Sequence, residues 1–308
     1  MSSVGAAPGQ AQVITGTVPF RGHQTWYRVT GTLDPEAPRA PLVVLHGGPG
    51  AAHNYTLAMT ALADDGRAVV HYDQLGCGNS THLPDADPSF WTVELFVAEL
   101  RAVVEHLGIA GRFHLLGQSW GGMLGPEVVL SDDSGILSLS ICDSPASMPL
   151  WLQAANELRD ELPADVQATL LAHEEAGTTD SQAYRDAEKV FYDRHVCRVV
   201  PNPPEVAASF DQIDDDPTVY HAMNGPSEFH VVGSLKEWSV VDRLDGIRVP
   251  TLVVAGAHDE AKPIVWQPFL DRIPDVRSHV FPDSSHMPHV EEPEAFRAVV
   301  GAFLAEHD

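Results

Sequence analysis

Short apolar blocks alternate with amphipathic stretches along most of this 308-residue chain. Val13 to Val18 and Thr25 to Thr30 alternate apolar and polar residues with the period of two, which predicts half-buried strands. The run Pro-Leu-Val-Val-Leu-His at 41–46 and the block Ala68 to Tyr72 are continuously apolar, as strands buried on both faces are. Thr92 to Leu107 then sets Val93, Phe96, Leu100, Val103 and Leu107 at helical spacing, and Gly108 closes that helix from the C′ position. Phe113 to Leu116 predicts the next strand and a helical run toward Leu130 follows, with Pro126 expected to kink that helix or end it early. Ile136 to Cys142 is a further strand. After it the pattern changes, because residues 147–240 are helical in period, acidic and aromatic, with no buried-strand block. Strand signals return at Val249 to Ala255 and Ser278 to Phe281, and Glu294 to Glu306 closes the chain as an amphipathic helix. The expected fold is α/β, a doubly wound and mostly parallel sheet with an inserted helical cap. Its parts are a core segment at 1–146, the cap at 147–240 and a second core segment at 241–308.

The chemistry sits at strand ends. Gly117-Gln-Ser119-Trp-Gly121 follows an apolar strand and opens a helix, the context of a nucleophile elbow, in which small flanking residues let the chain turn sharply enough to hold a serine oxygen above the sheet. A serine hydroxyl needs an imidazole to take its proton, and the imidazole needs a carboxylate to fix its tautomer. In the α/β-hydrolase arrangement the chain order is serine, acid, histidine. Asp259 and His286 follow the last two predicted strands and satisfy that order. Asp143, at the end of the strand after the nucleophile helix, is the competing acid; His289 is the competing base, and His258 and His71 read as structural. The glycines of His46-Gly-Gly-Pro-Gly50 can turn a backbone N–H toward a developing oxyanion, Gly48 first and Gly47 as the alternative, acting together with the amide of Trp120.

Three longer motifs, His46-Gly-Gly-Pro-Gly50, Asp73-Gln-Leu-Gly-Cys-Gly-Asn-Ser80 and Gly117-Gln-Ser-Trp-Gly-Gly122, together resemble the proline iminopeptidases over about residues 12 to 305. The segment Met223-Asn-Gly-Pro-Ser-Glu-Phe229, with Lys236-Glu-Trp238 after it, is similar to the branch containing the archaeal tricorn-interacting aminopeptidase. The resemblance implies release of an N-terminal amino acid, often proline, from a peptide, amide or ester. It also implies that Glu228 and Glu260 bind the substrate ammonium, with Tyr220 near them. Gln118 and Trp120 look more like bacterial amino-acid amidases and esterases of the same family, which leaves the leaving group open. Without the resemblance, Glu228 reads as a solvated cap residue and Glu260 as a loop charge. The alternatives are an amidase or esterase on another small acyl compound and a non-catalytic binding module on the same fold.

Charge narrows the partners. With 18 Lys+Arg against 43 Asp+Glu the chain is strongly anionic, which opposes binding to nucleic acid or to anionic membrane surfaces. Three cysteines without metal-ligand spacing indicate neither a disulfide framework nor a zinc site, and the chemistry calls for no cofactor. Met1 to Gln12 carries no basic and apolar leader pattern, so a cytoplasmic protein acting on a small peptide or amide is expected, in an oligomeric state the sequence leaves open. Trp151, Phe191, Phe210, Phe229 and Trp238 are the aromatics available to fold over the site and shape its side-chain preference.

Overall fold

The computed structural model describes residues 2–4 and 12–308, so the expectation for Met1 to Gln12 lies almost wholly outside the described residues. Nine strands form one sheet: β1 (Ser2–Val4), β2 (Val13–Phe20), β3 (His23–Thr30), β4 (Leu42–Leu45), β5 (Val69–Asp73), β6 (Phe113–Gln118), β7 (Ile136–Cys142), β8 (Thr251–Gly256) and β9 (Val276–Phe281). Their spatial order is β1-β2-β3-β5-β4-β6-β7-β8-β9. The first three pair antiparallel, with β2 and β3 joined through Arg21 and Gly22, both at positive φ, the geometry of a tight hairpin turn. From β5 to β9 every pair is parallel. Strands β4, β5, β6 and β8 are buried along their whole length, which is why apolar residues predominate in them.

Helices cover both faces. The amphipathic α1 (Val93–His106) is capped by the Thr92 side chain, which accepts from the Leu95 amide. Helix α2 (Trp120–Ser131) follows the elbow and does not end at Pro126; it runs five residues further, to Ser131. Proline removes one backbone bond there, but almost every residue of the helix is buried, and burial of apolar surface outweighs a single lost hydrogen bond.

Between β7 and β8 the chain forms α3 (Met148–Asp160), α4 (Ala164–Ala176), α5 (Gln182–His195), α6 (Pro204–Asp215) and α7 (Thr218–Met223), and adds no strand to the sheet. The two legs of this insertion meet at one point. Ser147 and Ser239 form an isolated antiparallel bridge, the Met148 amide donates to the Trp238 carbonyl at 2.9 Å, and the Val240 amide donates to the Ala146 carbonyl at 3.0 Å. Helices α8 (Pro263–Arg272), α9 (Pro288–Glu291) and α10 (Pro293–Glu306) complete the chain. Among the described residues, no helix is long and apolar enough to cross a membrane.

Candidate active site

The loops after β4, β6, β7, β8 and β9 all emerge at the carboxyl ends of parallel strands, where open α/β sheets place their chemistry. Ser119 stands between β6 and α2 with φ 55° and ψ −121°, a backbone conformation rare outside glycine. The flanking glycines make the turn possible by close approach: a Cβ on Gly117 would lie 2.0 Å from the Gly121 carbonyl oxygen, and one on Gly121 would lie 2.2 Å from that of Leu45. The Ser119 amide donates to the Cys142 carbonyl at 2.9 Å, which ties the elbow to the end of β7.

Ser119 and His286 line one cavity together with Gly48, Tyr55, Phe210 and Glu228. Nδ1 of His286 donates to Oδ1 of Asp259 at 2.8 Å, and that oxygen also accepts from the Ala261 amide at 3.0 Å. This leaves Nε2 as the free imidazole nitrogen. Burial works against the charged form of His286, but the Asp259 carboxylate outweighs it, so the imidazole titrates above its ordinary value. The loop is braced from below: Glu291 accepts from the Ser285 amide and hydroxyl, and Glu292 accepts from the Ser284 hydroxyl.

The other histidines have structural partners. His289 is buried with Nε2 on the Tyr55 carbonyl at 3.1 Å, and burial lowers its pKa to about 3. His71 is likewise buried with Nε2 on the Thr56 carbonyl, and its pKa falls to about 3. His258 lends its carbonyl to His195.

The glycine loop after β4 separates the two oxyanion candidates. The Gly47 amide is already spent, donating to the Tyr55 hydroxyl at 2.6 Å. No such bond occupies the amides of Gly48 or Trp120 among the described residues. Gly48 sits at φ 105°, where an added Cβ would meet the Gly50 amide at 2.5 Å.

Two side chains that the sequence did not mark for a role hold this arrangement together. Tyr55 donates its hydroxyl to Oε1 of Gln118 while accepting from Gly47, and Nε2 of Gln118 donates to the His286 carbonyl at 2.8 Å. Gln118 lay inside the elbow motif, but its partners are far away in sequence; Tyr55 carried no signal at all. Gln74 acts similarly, accepting from Nε1 of Trp120 at 2.9 Å and donating to the His46 carbonyl at 3.3 Å. In the Asp73–Ser80 motif, Asp73 accepts from the amides of His53 and Asn79 and from their side chains, a purely structural set of bonds.

Glu228 and Glu260 converge on the same region. Glu260 lies in the loop after β8 but is completely buried, and neither of its carboxylate oxygens has a hydrogen-bond donor among the described residues. Its Oε1 lies 4.0 Å from Nδ1 of His286. Glu228 is partly buried; its Oε1 accepts from the Tyr220 hydroxyl at 2.8 Å. Burial, then the neighbouring Glu228 and Asp259 charges, push Glu260 well above the usual carboxylate range, and burial raises Glu228 too. The backbone of Glu228 is held in turn by Trp151, whose Nε1 donates to its carbonyl at 2.7 Å and whose ring meets His286 edge-on at 5.8 Å.

Of the five aromatics available to cover the site, Trp151 and Phe210 line it. Phe191 and Phe229 instead pack on each other inside the insertion at 4.9 Å, and Trp238 donates its Nε1 to Glu127. Val196, Val206, Ile213 and Met287 add apolar wall. A separate cleft lined by Leu33, Arg39, Leu107 and Arg112 opens at the opposite, amino-terminal ends of the strands.

The profile of the alpha/beta hydrolase fold matches residues 40–293. The proline iminopeptidase of Lactobacillus helveticus is 35% identical over 96% of this chain and 99% of its own length. Two crystal structures superpose over nearly the whole chain. The proline iminopeptidase of Mycobacterium smegmatis is 59% identical with a TM-score of 0.88, covering 96% of this chain and 98% of that one. VinJ is 54% identical with a TM-score of 0.93, covering 96% and 99%.

Proposed function

Since this chain belongs to the proline iminopeptidases of the α/β-hydrolase fold, we propose that it is a serine exopeptidase releasing an N-terminal residue, proline foremost, from small peptides or amides. One observation carries the specificity. Glu260 is buried without a donor beside Glu228, next to the His286–Asp259 pair, and no lysine or arginine pairs with either carboxylate among the described residues. A buried carboxylate without a donor, set beside a second carboxylate, is costly until a cation joins them, and the α-ammonium of a substrate is such a cation. A blocked amine would leave them uncompensated, at a cost of several kcal/mol.

In this reading Glu228 and Glu260 hold the ammonium and Tyr220 fixes the Glu228 carboxylate, which sets the first carbonyl over Ser119. Ser119 attacks, His286 takes its proton through Nε2, and the amides of Gly48 and Trp120 receive the oxyanion. Each such donor is typically worth about 3 to 4 kcal/mol of barrier. Asp259 holds the imidazole in its tautomer and stabilises the imidazolium. His286 then protonates the leaving amine, and water repeats the sequence to free the amino acid. Residues 147–240 serve as a cap that supplies Tyr220, Glu228 and Trp151. The three free, buried cysteines suit a reducing compartment, and we assign the enzyme to the cytoplasm.

The test is a panel of prolyl, alanyl and phenylalanyl chromogenic amides with their amine-blocked counterparts and simple acyl esters. Turnover confined to the free amines supports the exopeptidase, and the rank of side chains defines the acyl pocket. Equal turnover of blocked and free substrates would sink the ammonium site. Failure to react with a fluorophosphonate would remove catalysis altogether.

A further inference from the structure

Asp143, the competing acid in the sequence, lies against Asp259 instead of replacing it. It closes β7 with φ 52°, is completely buried, and is pinned at both ends: its amide donates to the Val254 carbonyl at 2.8 Å, and its Oδ1 accepts from the Gly256 amide at 3.1 Å. Its Oδ2 has no donor among the described residues, and neither does Oδ2 of Asp259, although both are buried; Gly256, whose amide Asp143 holds, takes the Asp259 amide on its carbonyl at 3.3 Å, so one turn carries both carboxyl groups. Two facing acceptors with nothing between them are repulsive unless one is an acid.

We propose that Asp143 is a protonated, positioning residue of the catalytic centre, donating a hydrogen bond from Oδ2 to Oδ2 of Asp259. This rests on the reading of Asp259 as the triad acid. Asp259 is the group that must stay ionised, since His286 Nδ1–H and the Ala261 amide both point at its Oδ1. The surroundings make Asp143 the acid of the pair. Asp259 and Glu291 act on it as like charges, Tyr55 and Cys142 are neutral neighbours, and the Gly256 amide is its one donor among the described residues; burial first, then those charges, hold its carboxyl well above the usual range. With the bond in place, both oxygens of Asp259 are engaged and its carboxylate plane is fixed against the imidazole. The bond also draws charge away from Asp259, which limits how far His286 is raised.

The experiment compares Asp143→Asn with Asp143→Ala. Asparagine keeps the acceptor for Gly256 and supplies an N–H donor to Asp259; alanine supplies neither. Asp143→Ala should lose about 10²-fold in kcat, the scale of a mispositioned catalytic group, and Asp143→Asn should recover most of that loss. The acid limb of kcat/KM separates the protonation states. If Asp143 is neutral, the asparagine variant leaves the limb in place, and the alanine variant moves it to higher pH because Asp259 regains full charge. If Asp143 is ionised, both variants remove a negative charge near His286 and move the limb down by about one unit or more, which overturns the proposal. Infrared difference spectra need no turnover: the wild type should show a protonated-carboxyl C=O stretch that Asp143→Asn lacks, and an identical band in both would equally overturn it. Full turnover by Asp259→Ala would refute the triad reading instead, a result that leaves the infrared outcome to be judged separately.

Discussion

The carboxamide of Gln118 joins the residue before Ser119 to the backbone of His286: its Nε2 donates to the His286 carbonyl at 2.8 Å. Through its Oε1 it also receives the Tyr55 hydroxyl, which in turn accepts from Gly47, so three loops share one chain of bonds. Tyr55→Phe should leave the Gly47 amide and Gln118 Oε1 unmet, a loss of roughly 1 to 3 kcal/mol. The expected result is a fall of about tenfold in kcat with little change in KM, measured by steady-state kinetics on a prolyl amide. A rise in KM alone would mean that the network shapes binding and not the geometry of attack.

The pH profile follows from His286. It must be neutral to accept the Ser119 proton, and its pKa lies above the ordinary histidine value. Activity should therefore be lost as pH falls and gained as pH rises, with the acid limb of kcat/KM centred above about 6.5. A second fall is expected at alkaline pH, where the substrate ammonium, with an ordinary pKa near 7.7–8.0, loses its charge. An acid limb centred below 6.5 would contradict the Asp259 pairing.

Glu228→Gln and Glu260→Gln should each weaken free-amine substrates by roughly 2 to 5 kcal/mol, thirtyfold or more in kcat/KM. Amine-blocked esters should be affected far less. Tyr220→Phe removes the hydroxyl that holds Glu228 and should give a smaller effect of the same kind. The ratio of kcat/KM on matched free and blocked esters is the measurement.

Stability should move opposite to activity at Glu260. Its folded-state pKa is raised above the unfolded value, so the contribution of this group is most favourable at acid pH and is lost as pH rises. Glu260→Gln should accordingly raise Tm relative to wild type, and by more at pH 8 than at pH 5, in thermal denaturation without substrate. A Tm gain that shrinks with rising pH would reverse the assignment.

The mostly parallel sheet was legible because β4, β5, β6 and β8 are buried along their length and so are rich in apolar residues, and because Gly108 marks a helix end locally. The placing of Ser119, Asp259 and His286 at strand ends was legible because each follows a recognisable strand. Tyr55 was not, since its partners Gly47 and Gln118 depend on a close approach of loops that no local pattern encodes. Asp143 was weighed as a rival to Asp259, when the adjacency of β7 and β8 ties both residues to Gly256, Asp143 through its side chain and Asp259 through its amide. Continuation of α2 past Pro126 was hidden for another reason: propensity argues against it, and only burial on every side overrules propensity. The fate of Phe191 and Phe229 was hidden as well, because an aromatic in a helix does not announce whether it faces a cavity or its own neighbours.

The bonds that join 146–148 to 238–240 give the insertion a single point of departure and return. Loop-closure entropy grows only with the logarithm of length, so the sheet is nearly indifferent to how much chain lies beyond that junction. What the insertion must preserve is the set of apolar residues it lends to the core, among them Trp151, Val219, Met223 and Val231. Residues on either side of that junction then evolve under different constraints: Ser119, Asp259, Glu260 and His286 are bound to strand ends, whereas Tyr220 and Glu228 belong to the insertion.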